Sequence, residues 1–175
     1  MEKSFVVQKA EEIQRLFNPS FFSPFPYQNI LDKFSDLKIF LIDLDQGVSG
    51  VIRYEENLKE FHIFVDQKKS ETRQHFTIAH ELGHYFLHQD IIKKENLIVD
   101  GDNIFDTGGM LFRLDGVPGT QFEMEANEFA ATLIMPESLV REAWEKLKSV
   151  DDCASIFHVS PLAMSIRLEK LALLS

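Results

Sequence analysis

"HFTIAHELGHYFLH", residues 75–88, places four of the chain's six histidines and one acid in a single short stretch. Its centre, His80-Glu81-Leu82-Gly83-His84, has the H-E-x-x-H spacing of zinc hydrolases. The spacing has a physical reason. Residues four apart stand one above the other on a helix face, so two imidazoles there grip one ion. Glu81, beside the first histidine, then reaches a water at the ion without occupying it. On a wheel of about 100° per residue, Thr77, His80, Glu81, His84 and His88 share one sector, and apolar side chains fill most of the rest. The alternative is the polar edge of an ordinary helix. Against it, the polar stripe carries no Lys or Arg, the usual coating of a solvated face. His88 lies one turn too far along to join a metal held by His80 and His84. The sequence leaves it to cap the helix or line the cleft, and leaves His75 a bystander.

A hydrolytic zinc site takes three protein ligands and keeps one position open. A third histidine six residues past the second would fall at position 90, which is Asp90. The third ligand must therefore come from elsewhere, and "QFEMEANEFAATLIMP" (121–136) is the candidate. Read as a helix, it sets Glu123 and Asn127 in the middle of a broad apolar surface, flanked by Phe122, Ala126, Phe129 and Leu133 on one side and Met124, Ala131 and Met135 on the other. Glu125, Glu128 and Thr132 fall on the opposite side, expected to be solvated. An unpaired buried carboxylate is very costly, so Glu123 needs a partner such as a metal. Asn127, one turn on, is placed to orient a ligand imidazole. A buried hydrogen-bonded pair that only locks the fold is the competing reading.

The remaining sequence sets the frame. The chain has 175 residues, the size of one domain, with 45% hydrophobic residues and 16 phenylalanines for an aromatic core. A net charge of -10 disfavours a broad nucleic-acid surface. The single cysteine, Cys153, has no partner in the chain and reads as a small apolar helix residue, compatible with a reducing cytoplasm. No apolar run resembles a signal peptide or approaches the length of a membrane span. A soluble cytoplasmic protein is the expectation.

Along the chain, "SFVVQKAEEIQRLF" predicts a first helix with Val7, Ala10, Ile13 and Phe17 inward. "NPSFFSPFP" breaks it, its phenylalanines pinning the connector to the core. "YQNILDKFSDL" predicts a short second helix. Three strands follow: "LKIFLIDL", expected to be central; "GVSGVIRYE"; and "KEFHIFVD", with Phe61, Ile63 and Val65 opposite His62, Phe64 and Asp66. The long helix runs from about Thr72 to His88, with Ser70 as its N-cap. Residues 89–120 predict a mobile flap with a short strand around "MLFRLDG". The second long helix runs from about Gln121 to Met135, a third starts at Pro136, and "VDDCASIF", "HVS" and "PLAMSIRLEKLALL" form a final helix-turn-helix. The fold class is thus α+β: a small sheet of three or more strands packed on the His80–His84 helix and on a second ligand-bearing helix, with a C-terminal helix-turn-helix-like pair. A single domain is expected over 1–175, with a helical segment to about 36, a catalytic core over 37–146 and a C-terminal helical segment over 147–175.

With these residues in view, the chain resembles the ImmA/IrrE family of bacterial metallopeptidases. "RQHFTIAHELGHYFLH" followed by "EMEANEFAATLIMP" carries the resemblance, which is far more specific than H-E-x-x-H alone. It implies a compact relative of thermolysin-like zinc proteases. His80, His84 and Glu123 would hold Zn2+, or another divalent ion such as Mn2+, with Glu81 as catalytic acid/base and Asn127 behind a ligand imidazole. It also implies a protein substrate, a helix-turn-helix transcriptional repressor. A metal-containing module that sequesters its partner without cleaving it is the alternative. DNA binding through "SIFHVSPLAMSIRLEKL" is a weaker reading, because that helix offers only Arg167 and Lys170 as cations. Arg113, Tyr85 and His88 are candidate oxyanion donors by chemistry alone.

Overall fold

The computed structural model describes residues 3–17, 27–101 and 119–174. Among these, eight helices and four strands form an α+β fold. The sheet comprises β1 (Leu37–Ile42), β2 (Val48–Glu55), β3 (Glu60–Asp66) and β4 (Leu97–Gly101), in the spatial order β1-β3-β2-β4. β1 runs parallel to β3, while β2 is antiparallel to both β3 and β4. The helices are α1 (Phe5–Arg15), α2 (Tyr27–Lys33), α3 (Glu71–Leu87), α4 (Gln89–Glu95), α5 (Gly119–Ile134), α6 (Glu137–Leu147), α7 (Val150–Phe157) and α8 (Pro161–Lys170).

Alternation along β3 decides the inner face of the sheet. Phe61, Ile63 and Val65 are buried, and Ile52 of β2 joins them. This face packs against α3, whose other side packs against α5. The sequence begins α3 cleanly, with the Ser70 hydroxyl accepting from the Arg73 amide. Every residue of α3 from His75 to Tyr85 is buried, so the helix is a central element and not a surface one. Gly83 makes the tight approach of α5 feasible. A Cβ there would lie 3.0 Å from Ala126 Cα and 3.1 Å from Ala126 O, which are main-chain atoms with little room to move.

Several expectations need correction. Among the described residues β1 is an edge strand, not a central one, and Phe40, Leu41 and Ile42 are 39%, 45% and 37% exposed. Its apolar character serves the outer face of the sheet: Phe40 stacks on Phe64 with ring centroids 5.3 Å apart, and its ring also meets His62 edge-on. In α1 the buried residues include Val6 rather than Val7. Thr132, expected on a solvated side of α5, is buried. The reason is α1, which lies across α5: the Gln14 side-chain amide donates to Thr132 O and, at 3.0 Å, to Leu133 O. Asp66, on the less apolar face of its strand, is also buried.

After α3 the sequence hides two elements inside what reads as a loop: α4, closed by Asn96 in the left-handed region at φ 68°, and β4, which extends the sheet beyond β2. The "MLFRLDG" strand and the phenylalanine-rich connector "NPSFFSPFP" lie outside the described residues. The C-terminal pair is present as α7 and α8, capped by the hydroxyls of Ser149 and Ser160.

Candidate metal centre

α3 and α5 bring three donors to one point. His80 Nε2 and His84 Nε2 are 3.1 Å apart. Glu123 places one carboxylate oxygen 3.1 Å from His80 Nε2 and the other 3.3 Å from His84 Nε2. All three residues are buried, Glu123 retaining 7% of its exposure. In a tetrahedral site with ligand bonds of 2.0–2.1 Å, neighbouring donors stand about 3.4 Å apart. The observed spacings are close to the edges of such a tetrahedron.

The far side of each imidazole is also engaged. His80 Nδ1 donates to Asn127 Oδ1 at 3.0 Å, since an amide oxygen only accepts. His84 Nδ1 is 2.9 Å from His88 Nδ1, and His88 Nε2 is 3.0 Å from Glu125 Oε2. With the Nδ1 atoms so occupied, two bare Nε2 lone pairs and a carboxylate face one another in a buried space. Such a cluster of acceptors is unfavourable without a cation, and the three residues therefore fit a divalent metal on their own geometry.

Electrostatics agree. Burial pushes the His84 imidazole down to about 4, outweighing the raising influence of Glu123 and keeping the ring neutral and ready to ligate. Burial alone would raise the Glu123 carboxyl. The adjoining imidazoles of His80 and His84 prevail and hold it well below the usual carboxylate range. His88 is likewise lowered by burial, against the opposing pull of Glu125.

Glu81 follows His80 on α3 and is fully buried. The main chain of β2 comes close to it: a Cβ built on Gly50 would lie 2.5 Å from Glu81 Oε1 and 2.5 Å from Thr77 Cγ2. The glycine in "GVSGVIRYE" is thus what admits the Glu81 carboxylate and Thr77 beneath the sheet. The shift in register against β4 between Val48 and Gly50 of β2 marks the same point as irregular.

The other residues singled out in the sequence fall as follows. Tyr85 is no oxyanion donor. Its hydroxyl donates to Asp36 at 2.8 Å, its ring packs edge-on against Phe61, and burial, then the Asp36 bond, raise its pKa far up. His88 sits behind His84, where both ring nitrogens are engaged, so it too faces away from any carbonyl at the metal. The residue left to cap α3 or line the cleft instead supports a ligand. Sequence spacing offers a signal for this, because His88 lies four residues beyond His84 on the same face. Glu125, read as a solvated acid, is its partner. Arg113 lies outside the described residues.

The comparisons with known proteins follow the same residues. Positions 34–169 match the sequence profile of the M78 peptidases, described as the IrrE N-terminal-like domain. The chain belongs to this IrrE N-terminal-like family. Among its relatives, the metallopeptidase ImmA of Bacillus subtilis (strain 168) is 26% identical over 137 residues, covering 77% of this chain and 71% of ImmA. A solved structure of a Mycobacterium tuberculosis transcriptional regulator superposes with a TM-score of 0.64 at 17% identity. The match covers 95% of this chain but 47% of that one, so the chain spans about half the regulator's length, and the likeness concerns the fold of the IrrE-like unit. No helix among the described residues is long and apolar enough to cross a membrane.

Proposed function

We propose that this IrrE-like chain is a zinc endopeptidase that cleaves a regulatory protein, a helix-turn-helix transcriptional repressor, in the cytoplasm. The observation carrying the reading is the convergence of His80 Nε2, His84 Nε2 and the Glu123 carboxylate, whose ligand atoms all lie within 4.8 Å of one another. Membership of a metallopeptidase family and a relative named as a metallopeptidase support the activity.

When bound, a divalent ion supplies a Lewis acid that acidifies a water and polarises a peptide carbonyl. The chain's own residues do the rest. His80, His84 and Glu123 hold the ion, and Asn127 and His88 fix the two imidazoles with Nε2 inward. Glu81 takes the proton from the attacking water and delivers it to the leaving amine nitrogen. Burial of Glu81 beside Gly50 keeps bulk water from competing for that proton. β4, last in the strand order among the described residues, offers main-chain groups on which an extended substrate segment adds as a further strand.

Metal content and cleavage of a co-expressed repressor test the assignment together. Glu123→Ala should lose the metal, and Glu81→Gln should keep the metal while cleavage disappears. Unchanged metal content in Glu123→Ala would remove that ligand. Partner regulation that survives Glu81→Gln would show sequestration rather than proteolysis.

A further inference from the structure

On the Nδ1 side of His80, away from the three metal donors, a cavity of about 160 Å³ opens between α3, α5 and α8. Phe76, Ala131, Met135 and Ala163 form apolar walls, and Arg167 and Lys170 bring two cations to it. We propose that this cavity binds an organic carboxylate whose apolar body is about the size of one aromatic ring.

Arg167 carries the argument. It is 7% exposed, and arginine is almost never buried so deeply without a paired acid. Its Nε donates to Met135 O at 3.1 Å, which fixes the plane of the guanidinium. Four further N–H donors remain on that group. Among the described residues no carboxylate forms an ion pair with it. Glu137, Glu128 and Glu11 act on it only at longer range, and Arg141 opposes them. A fixed guanidinium fork matches a carboxylate through two parallel bonds. Lys170 lies three residues on, on the same side of α8 and exposed, at the mouth of the cavity. In a chain of net charge -10, this is a local reversal of sign around an apolar hole. The size limits the ligand: an apolar cavity of about 150 Å³ accommodates benzene.

The cavity also touches the metal centre. Asn127 lines it and holds His80 through Oδ1, so an occupant contacts the group that aims a ligand imidazole. A regulatory effect on metal affinity follows, and this part alone rests on the proposed metal site. The carboxylate itself is the shared chemistry of a free small acid and of a protein chain ending in an aromatic residue.

The test is a titration of the full chain, labelled at alanine and methionine methyls, with 3-phenylpropionate. Saturable shifts at Ala131, Met135 and Ala163 are expected, and neither 3-phenylpropionamide nor inorganic phosphate should reproduce them. Lys170→Ala, a surface change that leaves the fold intact, should weaken binding several-fold, and Arg167→Met by about tenfold or more. Acetyl-Gly-Gly-Phe as the free acid, run beside 3-phenylpropionate, distinguishes a chain end from a small acid by the tighter of the two. No saturable shift, equal binding of the amide, or shifts confined to other methyls would overturn the site. Saturable binding that leaves metal affinity unchanged would overturn the regulatory effect alone, and loss of the metal reading leaves the methyl titration standing.

Discussion

His84 and His88 meet nitrogen to nitrogen, Nδ1 to Nδ1, at 2.9 Å inside the protein. One of them must donate, and Glu125 decides which. A carboxylate only accepts, so His88 Nε2 carries its proton towards Glu125 Oε2. His88 Nδ1 is then a lone pair, His84 Nδ1 donates to it, and His84 Nε2 is left bare towards Glu123. Replacing His88 with Phe keeps an aromatic ring beside Phe122, whose centroid is 4.8 Å from that of His88. It removes only the acceptor. Metal affinity should fall about 10–100-fold, measured by competition with a chromophoric chelator. An affinity equal to wild type would show that His84 needs no such support.

Gly50→Ala places a methyl group where Glu81 Oε1 and Thr77 Cγ2 now lie. The 2.5 Å separations cannot stand, and Glu81 is the more adjustable neighbour because its carboxylate ends a longer side chain. The expected result is a variant that folds, destabilised by roughly 1–3 kcal/mol, and holds metal but loses most of its peptidase activity. Metal analysis and a cleavage assay on one preparation check this. Full activity would mean that the carboxylate of Glu81 works from another position.

Acid should weaken the metal-free protein before any carboxylate titrates in bulk. His84 stands at about 4 in the folded chain against 6.5 as its ordinary value. The unfolded chain therefore binds the proton first, and stability falls as pH drops from about 6.5 towards 4. The loss attributable to this group is roughly 1–3 kcal/mol. Glu123, whose carboxyl is lowered, adds a further loss in the same direction below its ordinary value of 4.5. Urea unfolding of chelator-treated protein across this range measures the slope, and a flat profile between about pH 7 and 5 would contradict the burial of a neutral His84.

Much of the architecture was readable because it depends on local periodicity. The spacing of His80 and His84, the Ser70 cap and the alternation of Phe61, Ile63 and Val65 each specify an element without knowledge of distant contacts. Glu123 was readable by contradiction, as an acid centred on an apolar helix face. What escaped the sequence depends on which element covers which. Thr132 looks solvated until α1 lies over α5, and β1 looks central because its outer-face residues are as apolar as its inner ones. The role of Glu125 needs the position of His88, which helical phase alone leaves undetermined between solvent and a neighbouring helix. Arg167 looks like a surface cation on a recognition helix, yet α8 turns it inward onto Met135. That loses one of the two cations on which DNA contact would rely.

The unbroken burial of α3 from His75 to Tyr85 ties the chemistry to the integrity of the whole molecule. The two imidazoles project from a helix held between sheet and α5, so among the described residues they are released only when that packing comes apart. An ion held there binds the native chain and not the unfolded one, so its binding free energy adds directly to the resistance of the entire domain to unfolding. Chelators should then lower the stability of the whole domain, and the backbone amides around His80 and His84 should be among the last to exchange with solvent.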